Sequence, residues 1–152
     1  MCLITLNKKQ TMAKHDIVVY KVMFDDGTYL RTPYTGALYK LGETVKLEFK
    51  DEPREVNTIW SSWIHTHYAH GRRVFTVDVG FHTFGKLSDA VEICEHMKTY
   101  DFDSHKYRFP KVYRCVIPAG ANYYVGMCNI GFGLGLQKSY CSDSLKVERV
   151  KH

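Results

Sequence analysis

The stretch Val79-Gly80-Phe81-His82-Thr83-Phe84-Gly85-Lys86-Leu87-Ser88-Asp89-Ala90-Val91-Glu92-Ile93-Cys94-Glu95-His96-Met97-Lys98 changes its period halfway along. Up to Gly85 it is aromatic and uncharged, the composition of a strand that fits a pleated, buried surface. From Leu87 onward the apolar residues Leu87, Ala90, Val91, Cys94 and Met97 recur every three to four positions. Asp89, Glu92, Glu95 and Lys98 take the opposite side, acids early and the lysine late, as the helix dipole favours, and Ser88 is placed to cap. The reading is a strand, a tight turn and a principal helix over 87–98.

Moving outward, helices give way to strands. Asp16–Phe24 is β-branched and aromatic and ends at the turn Asp25-Asp26-Gly27. Thr28–Thr32 pairs back as a hairpin, and Thr44–Phe49 alternates as a half-buried strand. Arg73–Val79 reads as a strand, as do Lys111–Ile117 and Ala121–Met127 on either side of Pro118-Ala119-Gly120, and Leu145–Val150 closes the chain. Asp51–Val56, Tyr100–Pro110 and the glycine-rich Cys128–Lys138 read as loops, and Asn57–His70 fits neither period. The expected fold is α+β, a mainly antiparallel sheet with one principal helix, in a single domain over 1–152. The helix is expected to bury Val91, Cys94 and Met97 against strands over 17–23 and 111–117.

With 152 residues, 45% hydrophobic and 24% charged, the chain falls outside the compositional range of disordered proteins. The net charge of +5 is spread along the chain with no basic block, so nucleic-acid binding is not indicated. No apolar run approaches the roughly 18 residues of a membrane span, and no signal peptide is read, so a cytoplasmic setting with reduced thiols is expected. The five cysteines (Cys2, Cys94, Cys115, Cys128, Cys141) form no CxxC pair.

Three constellations could carry chemistry. If Ile64–Tyr68 is a strand, His65 and His67 share a face at a spacing that suits one metal, with His70, His82 or Asp78 as third ligand. A zinc site usually closes four ligands, and no cysteine lies between Cys2 and Cys94, so no metal is expected. Gly126, Gly131, Gly133 and Gly135 do not follow a phosphate-loop pattern and read as a loop bordering a site. Cys2 could act as an N-terminal nucleophile only after loss of Met1, and otherwise reads as a small apolar residue at the start of the fold.

The order strand, Gly80-Phe81-His82-Thr83, turn, and a helix opening Leu87-Ser88-Asp89-Ala90 resembles the central motif of the ADP-ribosyltransferase-like fold. Val19-Tyr20-Lys21-Val22 stands where that family has its opening Tyr-Arg or Tyr-His strand, and Ser142–Val147 is similar to its final strands. The likeness covers about half the chain. It implies an NAD-like nucleotide site lined by Tyr20, Lys21, His82 and Thr83, with His82 against the ligand, Lys21 on its phosphate and Tyr20 over its ring. Lys21 replaces the family's Arg or His, and Asp143 stands in for its usual Glu, so the implied site binds without necessarily transferring anything. The chain also resembles short phage- and prophage-type proteins that carry no assigned activity, which would place it in a host cytoplasm or a virion. The alternative reading is a non-enzymatic protein that binds a protein partner through a Tyr-rich surface including Trp60, Trp63, Tyr68 and Tyr100.

Overall fold

The computed structural model describes residues 3–32, 37–56, 62–99, 109–129 and 134–152, the side chains of 62, 63 and 99 excepted. In chain order the elements are β1 (Leu3–Thr5), β2 (Thr11–Met12), β3 (Ile17–Asp25), β4 (Leu30–Arg31), β5 (Leu38–Tyr39), β6 (Thr44–Lys46), β7 (Arg54–Glu55), α1 (Ser62–His67), β8 (Phe75–Val77), β9 (Phe81–Phe84), α2 (Leu87–Thr99), β10 (Lys111–Ile117), β11 (Asn122–Cys128), β12 (Gln137–Ser142) and β13 (Ser144–Val150). The described pairs are all antiparallel and run across the sheet as β6-β13-β10-β3-β9-β12-β11-β1-β8-β7. Among the described residues no helix is long and apolar enough to cross a membrane.

β3 organises the fold. It pairs with β10 over seven consecutive positions, from Lys111↔Met23 to Ile117↔Ile17. Its alternation feeds two cores. Val19 and Met23 point into one, with Tyr39, Tyr113, Cys115, Ile117, Leu145 and Val147. Val22 points into the other, where α2 lays Ala90, Ile93, Cys94 and Met97 on Phe84 and Val112. Asp26 closes the turn after β3. Its carboxylate accepts the amides of Thr28 and Tyr29 and the Arg31 Nε (2.6 Å), which hold it down to about 2, the Tyr29 amide contributing most.

The principal helix lies against the two strands named for it, but its buried stripe is shifted. Ile93 is fully buried, whereas Val91 is only half-buried at the margin of the same core. Three further differences have physical causes. Residues 62–67 are helical, a six-residue segment pinned by Ile64, which packs with Ala69 and Val74. So short a helix shows little periodicity in sequence. The glycine-rich Cys128–Lys138 segment ends in a strand, β12, which is satisfied by pairing with β11 on one side and β9 on the other. Leu3–Thr5 is too short to announce itself, yet all three residues are buried between β8 and β11.

Candidate functional site

β3 and β9 share one residue pair, Tyr20↔Phe84. Past that pair the strands are joined by a side chain. Lys21 is 6% exposed, and its ammonium donates to the His82 carbonyl at 2.5 Å. The same nitrogen lies 5.6 Å from the centre of the Tyr39 ring. An ammonium carries three donors. Among the described residues no carboxylate pairs with it; the Cys115, Cys141 and Cys128 thiols and the His82 ring lie in electrostatic reach. Burial therefore dominates and lowers Lys21 to about 8, while Cys115, also desolvated, is pushed up to about 12 and stays a neutral thiol.

The acceptor of Lys21 is the carbonyl of the peptide bond between His82 and Thr83. Thr83 is fully buried, and among the described residues its Oγ1 has no hydrogen-bond partner. Thr83 faces Tyr140 across the β9–β12 ladder, and Phe81, on the same face, meets Tyr39 edge-on at 6.0 Å. Lys21, Tyr39, Phe81, Thr83 and Tyr140 thus belong to one side of the split.

Tyr20 and His82 belong to the other. Tyr20 packs with α2, opposite Phe84. His82, two residues from Phe84, shares that face by alternation. Its ring lies between backbone carbonyls, Nδ1 at 3.1 Å from Gly80 O and Nε2 at 3.1 Å from Val77 O. The ring is thus committed to holding β8 against β9. Of the four residues expected to line one site, the structure brings Lys21 and Thr83 together and gives Tyr20 and His82 to packing. His82 still contributes its carbonyl.

A neutral imidazole has one proton, so either tautomer donates to one carbonyl and turns a lone pair on the other. The two carbonyls would suit an imidazolium, but burial, aided by the Lys21 charge, outweighs them and lowers His82 to about 4. The unfolded ring takes its proton near 6.5 and the folded one only near 4, so stability is lost as pH falls through that window. Denaturant unfolding should show a loss of roughly 2–3 kcal/mol between pH 7 and 4 that His82→Asn largely removes. An unchanged slope in that variant would assign the acid sensitivity elsewhere.

Gly80 is required beside this ring. Its φ is +145°, and a Cβ there would run into the Cys141 sulfur and come within 2.9 Å of Phe49. The glycine of the Gly-Phe-His-Thr motif therefore serves the close approach of the β8–β9 connection to β12 and Phe49. Gly126 does likewise within β11, against the Ile4 carbonyl, while Gly131 and Gly133 lie outside the described residues.

Other expected features lie elsewhere. Residues two apart on α1 are rotated by about 200°, so His65 and His67 cannot share a face as they would on a strand. Among the described residues no three His, Cys, Asp or Glu side chains are grouped as metal ligands would be. Asp143 uses its two oxygens on the Asn122 amide (2.9 Å) and side chain (3.1 Å), bracing the end of β11. Tyr68 is half-buried against the core that holds Ile64, and Cys2, Trp60, Tyr100 and the Trp63 side chain lie outside the described residues. A small groove of about 110 Å³ between residues 49–53 and 76–79 contains Asp78, which is already bonded to Arg54 (3.2 Å) and Thr76 (3.1 Å). Sequence reasoning missed Tyr39 and Tyr140, whose only signal was the high aromatic content, and passed over Phe81 although it stands within the motif.

Compared with family models, curated proteins and solved structures, the chain matches none.

Proposed function

We propose that this protein binds an NAD-derived nucleotide at the split between β3 and β9, with Lys21 and Thr83 as its polar contacts, and that it binds without transferring a group. The observation that carries this reading is the buried Lys21 ammonium, which among the described residues has one backbone acceptor and, on the adjoining residue, a Thr83 hydroxyl without a partner. Buried polar groups are normally paired, and each one left short costs about 1–3 kcal/mol. A ligand bringing phosphate or ribose oxygens would satisfy both. The aromatic rings of Tyr39, Phe81 and Tyr140 on the same side offer apolar surface to a base or sugar. The occupation of Asp143 by Asn122 fits binding without catalysis, since that carboxylate is not available to a reacting centre.

Thermal unfolding with NAD and ADP-ribose tests the reading. At ten times Kd a single-site ligand adds about 1.4 kcal/mol, so the midpoint should rise by roughly 3–5 °C. Lys21→Met and Thr83→Val, each compared with its own ligand-free midpoint, should lose most of that rise. No shift with either nucleotide at millimolar concentration would overturn the proposal.

A further inference from the structure

We propose that Lys21 captures the free sugar end of its ligand covalently, as an imine with the open-chain aldehyde of an ADP-ribose-type molecule. This rests on the nucleotide reading above and specifies which part of the nucleotide reaches Lys21. A lysine that only clamps phosphate works as a solvated or carboxylate-balanced cation. Lys21 has neither support among the described residues, being enclosed by the Tyr39 ring, thiols and one peptide carbonyl. Such an environment favours the free amine, the form that attacks carbonyl carbon. With its pKa lowered to about 8, roughly a tenth of Lys21 is free base at neutral pH, far more than for a surface lysine.

The step balances without an oxidant or reductant. The Nζ lone pair forms a bond to the aldehyde carbon, giving a carbinolamine. The carbonyl oxygen takes up the two amine protons and leaves as water, and the C=N bond closes. Thr83 Oγ1, buried, without a partner among the described residues and on the residue next to the Lys21 acceptor, would donate to that oxygen as it develops charge. Entry parts β3 from β9 where one residue pair and the Lys21 hydrogen bond hold them, so few bonds are broken. NAD supplies the control, because its corresponding anomeric carbon is bonded to nicotinamide and cannot open to an aldehyde.

The experiment incubates the full chain at pH 7.5 with ADP-ribose and cyanoborohydride, in parallel with NAD, and maps adducts by peptide mass spectrometry. The expected result is a reduced adduct at Lys21 formed at least about tenfold faster than at any other lysine, given the free-base fractions above. It should be absent with NAD and in Lys21→Arg, and slowed about five- to tenfold in Thr83→Val, the cost of one hydrogen bond to a developing charge. Adducts spread evenly over surface lysines, or a thermal shift with ADP-ribose but no adduct at Lys21, would overturn the imine while leaving the nucleotide reading intact. Absence of any thermal shift with either nucleotide would remove the reading itself.

Discussion

Lys21→Met should make the protein more stable at neutral pH. Lowering a lysine from 10.5 to about 8 corresponds to roughly 3 kcal/mol of unfavourable burial of its charge whenever both folded and unfolded chains carry the proton. Methionine matches the length of the buried stem and carries no charge. It gives up the bond to the His82 carbonyl, worth about 1–2 kcal/mol, so the net gain should be about 1–2 kcal/mol, or roughly 3–6 °C. The sign with pH follows from the depressed folded value. Between about pH 8 and 10.5 the unfolded chain binds the proton that the folded chain has lost, so wild-type stability rises relative to the variant. The advantage of methionine should therefore be full below pH 8 and nearly gone by pH 10.5, while other titrating groups cancel in the comparison. Matched denaturation curves at pH 7 and 10 check this. A variant less stable than wild type at pH 7, with no narrowing at pH 10, would show that Lys21 is a structural cation. A residue whose removal stabilises the fold is one retained for some other reason, and ligand binding is the reason proposed above.

The largest loss should come from a single added methyl at Gly126. This residue sits within β11 where Ile4 of β1 crosses it, and a Cβ would overlap the Ile4 carbonyl oxygen, with the carbonyl carbon at 2.9 Å and Leu3 Cγ at 3.3 Å. The obstacle is backbone held in two ladders, since β1 pairs with β8 at all three of its positions and with β11 at Ile4. Relief would require β1 to move as a unit, away from the core around fully buried Leu3. Gly126→Ala should lower stability by about 3 kcal/mol or more, a drop of roughly 6–12 °C. Gly85→Ala is the control. The one tight neighbour is a side-chain atom, Tyr140 Cε2 at 3.1 Å, while Lys138 Cγ and the Lys138 carbonyl oxygen lie at an ordinary 3.5 Å, so the cost should stay below about 1 kcal/mol. Equal losses in the two variants would show that glycine is needed at Gly126 for some reason other than the approach of β1.

By itself the sequence determined what is local or repeated. The period of 87–98 named a helix, and the β-branched run before Asp25-Asp26-Gly27 named the strand that became β3, with the turn where the Asp26 carboxylate closes it. The turn at Pro118-Ala119-Gly120 was equally legible, because turn residues carry their conformation with them, although the strands on either side of it pair with other partners. Tertiary structure alone decided the rest. Whether Leu3–Thr5 and Gln137–Ser142 are strands depends on partners that include β8 and β9, far away in the chain, and a short apolar or glycine-flanked segment gains its full set of hydrogen bonds only when those partners arrive. The site followed the same rule. Tyr20, Lys21, His82 and Thr83 could be named from the motif, but two-residue alternation sent Lys21 and Thr83 to one side of the split and Tyr20 and His82 to the other. A run of residues does not reveal which face of its sheet will be buried against a helix and which against a second core. That choice was made by the β3–β10 ladder and the two cores on its faces, with the pair Tyr20↔Phe84 setting β9 beside them, and it left one lysine in the interior against a carbonyl.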